Sequence, residues 1–156
     1  MSARPAARGP APARSTLEAV AWPVARAGQA LEALARAAGL PLSRALPSAA
    51  QAPAEPGAWA GWLDDAAQTL GLELALLHAL HGQVERLLRG ATPALVEVAL
   101  PGGRAVVALL RVDGAGHSTQ ALCPDEALRP VDYATLSAAV RALVEWSQAP
   151  AALKVA

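Results

Sequence analysis

The chain has 156 residues, of which 54% are hydrophobic and 17% charged, and its formal net charge at pH 7 is zero. This length favours one domain, and the composition is that of a globular chain. Zero net charge argues against a nucleic-acid partner, because nucleic-acid-binding proteins normally carry a basic surplus. A single cysteine excludes an internal disulfide.

No apolar run approaches the ~20 residues that a membrane-spanning helix needs. The N-terminus also lacks the apolar core of a secretory signal. We therefore expect a cytoplasmic domain without a membrane span in this chain.

The first third of the chain predicts a tail, one long helix and a connector. Residues 1–15 are rich in Ala, Pro and Arg without periodicity, which indicates a disordered tail. Pro23 disfavours helix around it, so the long helix is expected to begin near Val24 or later and to end at Gly39. The Pro- and Ala-rich connector, residues 41–58, is expected to be weakly ordered.

The next elements alternate between helix and strand. Residues 59–71 predict a second helix, because Trp and Leu recur on one face and Gly71 follows as a cap. The segment "LELALLHA" predicts a strand or a mixed segment. The segment "HGQVERLLRGA" predicts a short helix that ends at Gly90.

Residues 93–112 carry the clearest β signal, because "PALVEVAL" and "RAVVALLRV" flank the turn "PGG". The segment "HSTQALCP" predicts a third strand, and "RPV" a short one. Asp132 is a candidate N-cap for the final helix, "YATLSAAVRALVEW". The order predicts an α+β domain over residues 16–148 and a C-terminal tail over 149–156.

Few residues carry catalytic chemistry. Cys123 is the one candidate thiol nucleophile, with His117 in the same segment, but a buried structural cysteine explains it better. His78, His81 and Glu85 have a metal-ligand spacing only on a continuous helix, which Gly82 argues against. No metal site and no cofactor are therefore predicted.

Four tryptophans in a chain without phenylalanine leave room for an apolar groove that accepts a peptide. Core packing is the simpler explanation for these tryptophans.

The order of elements resembles a known family. A long helix ends in glycine, a connector and a helix ending "AAQTLGL" follow, and then come a "PALV" strand, a Gly-Gly turn and two further strands. This order resembles the papain-like N-terminal peptidase domain of bacteriocin-processing ABC exporters, which removes double-glycine leader peptides. The resemblance implies a papain-like fold with N-terminal helices packed on a small antiparallel sheet.

The catalytic residues of that family are replaced in this register. The family's helix begins with the nucleophilic cysteine in a pattern like "CGxxCLAMxxxYYG", and the corresponding stretch "RAGQALEALARAAG" begins with Arg26. The catalytic histidine opens the strand after the turn, where this chain has Arg104. The family's Asp-Pro pair corresponds to Cys123-Pro124. The resemblance therefore implies no catalytic residues.

The resemblance implies a degenerate, catalytically inactive domain that binds a peptide substrate or supports an ABC exporter through its membrane and ATPase domains. It places Arg26, Arg104, Cys123 and Trp22 in the peptide-binding groove. A guanidinium cannot serve as a general base near neutral pH, but it can hold a carboxylate or a peptide carbonyl. Each arginine could equally be a solvated surface residue.

Two other functions stay open. One is an active cysteine peptidase that uses Cys123 with His117 in a rearranged site. The other is a structural module that dimerises through the Ala-rich faces of residues 24–39 or 133–146.

Overall fold

The computed structural model describes residues 13–47, 50–55, 58–77, 81–112, 116–144 and 152–155. Within these residues the helices are α1 (Ala13–Val20), α2 (Ala27–Ala37), α3 (Ala58–Leu70), α4 (Val84–Gly90) and α5 (Tyr133–Val144). The strands are β1 (Trp22–Pro23), β2 (Leu74–Leu77), β3 (Ala94–Leu100), β4 (Gly103–Val112), β5 (Ser118–Leu122), β6 (Leu128–Asp132) and β7 (Ala152–Val155). A 3₁₀ turn, Val24–Arg26, joins β1 to α2.

In the part of the chain that the structure describes, the strands form one seven-stranded antiparallel sheet. Its order is β2-β7-β3-β4-β5-β6, and the short β1 pairs with β4 beside the end of β5. The architecture is α+β, as the order of sequence signals predicts. None of the described helices has the length and apolar character needed to cross a lipid bilayer.

Helices cover both faces of the sheet. On one face α2 and α3 pack against β4 through a cluster that includes Leu31, Leu63 and Val106. On the other face α1, α4 and α5 pack through a cluster that includes Leu88 and Val107. Successive residues of β4 therefore enter opposite clusters. This double burial explains why "AVVALL" is apolar at every position.

The predicted helix and strand signals are largely confirmed. Gly39 and Gly71 follow α2 and α3 in the left-handed region, at φ of 77° and 82°. Such a conformation favours glycine and ends a helix. Asp132 accepts a hydrogen bond from the backbone N–H of Thr135 at 2.6 Å, as expected of the cap of α5.

The structure differs from the predicted tails. The sequence predicts an N-terminal tail over residues 1–15, but α1 already begins at Ala13, and residues 1–12 lie outside the described part. The sequence also predicts a C-terminal tail over residues 149–156, yet β7 (Ala152–Val155) lies there between β2 and β3 in the sheet. β7 has only four residues, so its sequence carries little periodicity that would predict a strand. Its pairing partners, β2 and β3, lie far away in the sequence.

The connector is also more firmly held than its composition predicts. The backbone N–H of Ser43 donates to the carbonyl of Leu70 at 2.7 Å, and that of Ala52 donates to the carbonyl of Ala25 at 3.0 Å. The N–H of Leu46 donates to the Glu32 carboxylate at 3.0 Å. These partners satisfy connector donors without helix or strand structure.

Gly28 allows α2, α3 and the connector to approach one another closely. A Cβ atom at this position would lie 2.7 Å from Cη2 of Trp62 and 3.0 Å from Cδ1 of Leu46. The first separation is too short for carbon atoms, so any larger residue would push Trp62 or the connector away.

We expect Gly28→Ala to lower the free energy of unfolding by about 1–3 kcal/mol, because steric overlap outweighs the helix propensity of alanine. Gly61 is the matched control, since it is exposed in α3 and a Cβ there meets nothing within 4 Å. Gly61→Ala is expected to raise stability by about 0.5–1 kcal/mol. Chemical denaturation measures both, and equal effects of the two substitutions would contradict the close approach.

Candidate functional site

Trp22 joins three parts of the fold. Its backbone pairs with Val106 of β4, and its indole Nε1–H donates to the carbonyl of Leu122 at 2.8 Å. Leu122 ends β5, so the indole fixes the start of α2 to the end of that strand. The side chain is 2% exposed. A buried indole needs such an acceptor, and the contact makes the position of Trp22 specific.

Arg26 lies over Trp22 at the end of the 3₁₀ turn. Its guanidinium carbon is 5.0 Å from the centroid of the indole ring, a cation–π geometry. Its Nε–H donates to Oε1 of Gln29 at 2.7 Å. Stacking and this hydrogen bond restrict the side chain, so the guanidinium is already oriented before any ligand arrives.

A cleft of about 300 Å³ opens beside this pair, between α2, the connector and the turn that follows β5. We call it the α2 cleft. It combines charged side chains with apolar ones, and its lining residues are Trp22, Arg26, Gln29, Glu32, Ala33, Arg36, Leu46, Pro47, Pro124 and Glu126.

Two of the charged residues in the α2 cleft are engaged with each other. Glu32 forms an ion pair with Arg36 one helical turn away, and its other oxygen accepts the N–H of Leu46. Glu32 therefore holds one wall of the cleft in place. An exposed i,i+4 ion pair contributes little stability by itself.

Arg104 lies next to a second, shallower cleft of about 280 Å³ that shares Trp22 with the first. Its guanidinium pairs with Glu97 and donates through Nη1 to the carbonyl of Ala54 in the connector at 2.6 Å. Glu97 is only 3% exposed. Arg104 thus compensates a buried carboxylate, and the peptide carbonyl that it holds belongs to this chain.

Cys123 lies on the opposite face of the sheet. It packs in the cluster of α1, α4 and α5 and is 2% exposed, whereas Trp22 belongs to the cluster of α2 and α3. Burial raises the pKa of the Cys123 thiol, and a hydrogen bond to Arg129 with its positive charge partly opposes this shift. The thiol is therefore protonated at neutral pH, which disfavours nucleophilic attack.

His117 does not approach Cys123. It precedes β5 and Cys123 follows it, so the two residues stand at opposite ends of a strand. Six residues of extended chain span about 20 Å, far beyond hydrogen-bond reach. No base is therefore supplied to the thiol by His117.

Among the described residues, no group of three or more His, Cys, Asp and Glu side chains could hold a metal ion. His78 and the side chain of His81, which the sequence placed near Glu85, lie outside the described residues.

The structure therefore brings Trp22 and Arg26 together, sets Arg104 in the adjoining cleft and separates Cys123 from all three. Sequence reasoning missed the roles of Glu97 and Gln29. A lone carboxylate in the apolar strand "PALVEVAL" is a signal for the first, because a buried charge requires a partner. The spacing of three residues from Arg26 is a signal for the second.

The two Ala-rich faces considered for dimerisation differ in burial. Ala27, Ala30 and Ala35 of α2 are fully buried against the sheet and are unavailable to a second copy. In α5, Ala139 is buried on the other face, whereas Ala134 and Ala138 are exposed. Dimerisation through the exposed alanines of α5 stays a hypothesis, and residues 145–146 lie outside the described part.

Arg104→Met is expected to lower the free energy of unfolding by about 3 kcal/mol, because it leaves the Glu97 carboxylate buried without its cation. The double variant Arg104→Met/Glu97→Met is expected to recover most of this loss. Arg111→Met is the control, because Arg111 is exposed on the same strand. Denaturant unfolding of these three variants, of Glu97→Met and of the wild type gives the coupling, and additive effects of the two substitutions would contradict the pairing.

Cys123 in the folded protein is expected to react with iodoacetamide at pH 8 at least about tenfold more slowly than in guanidinium-unfolded protein. Burial limits access of the reagent to the thiol, and the raised pKa of Cys123 lowers the fraction of reactive thiolate, so both slow alkylation. A Cys123→Ser/Asp64→Cys variant supplies an exposed thiol on α3 as the control. Alkylation of Cys123 faster than free cysteine would instead favour the cysteine-peptidase hypothesis.

No protein-family model and no curated protein sequence matches this chain. Its function is therefore inferred from the chemistry of the α2 cleft.

Proposed function

We propose that this chain is a peptide-binding domain that does not hydrolyse its ligand. The main support for this proposal is the α2 cleft, which has the stacked pair of Trp22 and Arg26 at its side. Its volume of about 300 Å³ lies at the lower end of ligand sites, which suits a short stretch of an extended peptide.

The lining of the cleft suits the alternation of polar and apolar groups along a peptide. Arg26 can donate to a backbone carbonyl or a carboxylate, and a restricted guanidinium loses little freedom when it does so. Leu46, Pro47 and Pro124 offer apolar contacts for side chains. Such a site combines apolar area for affinity with few polar groups for orientation.

The separation of the thiol from the cleft supports binding without hydrolysis. The described residues that line the cleft include no cysteine, serine, threonine or histidine. Cys123 lies beyond the sheet, with a raised pKa and without His117 in reach. An active cysteine peptidase needs a thiolate and a base beside the substrate.

We further propose that the bound peptide is the substrate of an ABC exporter, with which this domain works. The support for this part is the resemblance to the papain-like peptidase domains of such exporters. Arg26, which corresponds to the nucleophile position of that family, lines the α2 cleft. Cys123, which corresponds to the catalytic aspartate, packs on the other face of the sheet and gives this part no support. Arg104, at the histidine position, lies in the adjoining cleft.

An array of random 12-residue peptides tests the proposal. Wild-type protein is expected to retain a reproducible set of sequences, and Arg26→Ala is expected to lose about tenfold in affinity for them, the value of one charge-assisted hydrogen bond. Arg111→Ala is the matched control, since Arg111 is exposed, donates to Gln120 across the strands and does not line the α2 cleft. Mass spectrometry of each bound peptide is expected to find it intact.

Cleavage of a retained peptide that is abolished by Cys123→Ala would replace the proposal with the peptidase hypothesis. Equal retention by wild type and Arg26→Ala would remove the α2 cleft as the binding site.

A further inference from the structure

The turn between β5 and β6 holds a glutamate in a conformation that normally belongs to glycine. Glu126 has φ of 67°, in the left-handed region. Its N–H donates to the carbonyl of Cys123 at 2.7 Å, and the N–H of Cys123 donates to the carbonyl of Ala127 at 2.8 Å. This is a three-residue hairpin loop, whose last position favours glycine or asparagine.

The surrounding turn enforces this conformation. Oδ1 of Asp125 accepts the N–H of Ala127 at 3.0 Å, which fixes the backbone on the other side of Glu126. A strained residue persists only where its surroundings determine it, and such residues concentrate at binding sites. Glycine would satisfy the turn without strain, so the turn itself gives no reason for a glutamate.

Glu126 is one of the residues that line the α2 cleft. It lines the cleft across from α2, together with Arg26 and Arg36. Arg36 is paired with Glu32, and Arg26 is engaged with Trp22 and Gln29. The exposed carboxylate of Glu126 forms no ion pair or hydrogen bond with the described residues. It is the acidic group of the cleft that is left for a ligand.

We infer that Glu126 makes the cleft selective for peptides that carry an arginine or lysine side chain. The cation of the ligand would pair with Glu126, while a neighbouring carbonyl accepts from Arg26. The two groups then fix the position of the basic residue along the cleft. This inference rests on the proposed peptide-binding function.

Pentapeptides that differ only in their central residue separate the effect of the ligand's charge from the effects of its size and shape. The probes are acetyl-Gly-Ala-Xaa-Ala-Gly-amide with arginine, its neutral isostere citrulline, or glutamate at the central position. Their binding is followed through the indole N–H resonance of Trp22 in ¹⁵N-labelled protein. We expect wild type to bind the arginine peptide about three- to fivefold more tightly than the citrulline peptide, the range of a solvent-accessible ion pair.

Three variants connect this preference to Glu126. Glu126→Gln is expected to bind the arginine and citrulline peptides equally. Glu126→Gly is expected to lose the preference as well, and to raise Tm by about 2–4 °C because glycine relieves the strain. Asp125→Asn removes the neighbouring charge, retains an oxygen for Ala127, and is expected to keep the preference.

The outcomes separate this inference from the proposed function. Equal binding of arginine and citrulline peptides by wild type, or an unchanged preference in Glu126→Gln, overturns the role of Glu126. So does an arginine peptide that does not bind at all while the random array retains other sequences. Failure of the array itself overturns the proposed function, and the selectivity with it.

Discussion

The hydrogen bond from the indole of Trp22 to the end of β5 determines how the site is assembled. It joins β1, which pairs with β4, to the strand that leads into Cys123-Pro124. The first turn of α2 is thereby brought against the turn after β5. Without an acceptor the buried indole N–H would be unsatisfied, so the contact specifies one position of Trp22. The α2 cleft and the orientation of Arg26 both depend on that position.

Arg26 and Arg104, which the sequence alone does not distinguish, make different kinds of contact in the structure. Arg26 stacks on an aromatic ring at the side of a cleft and donates to Gln29 through one nitrogen, so it is oriented toward the space that a ligand would fill. Arg104 balances the buried Glu97 and holds the connector through Ala54. Removal of Arg26 is expected to weaken the proposed peptide binding, whereas removal of Arg104 is expected to lower stability by leaving the Glu97 carboxylate buried without a cation.

The sheet separates the thiol from the cleft. Alternation along β5 and the turn after it sends Leu122 to one face and Cys123 to the other. Burial among the helices of that second face raises the pKa of the thiol. Pro124, one residue later, lines the α2 cleft. Two neighbouring residues, Cys123 and Pro124, therefore lie on opposite sides of the sheet, one in the core and one at the cleft.

The sequence by itself determined the local elements. Helical spacing and glycine caps defined α2 and α3, the "PGG" turn defined the hairpin of β3 and β4, and Asp132 capped α5. These signals arise from neighbours in the chain. The resemblance also offers Arg26, Arg104, Trp22 and Cys123 as candidates for one groove.

Only the tertiary structure decided which residues each candidate contacts. Trp22 finds Leu122 across 100 residues of sequence, and Arg104 finds Ala54 across 50. β7 is a strand because β2 and β3 pair with it, and the connector is held by partners in α2 and α3. Such contacts depend on which faces are buried together, and no periodicity in the sequence records that.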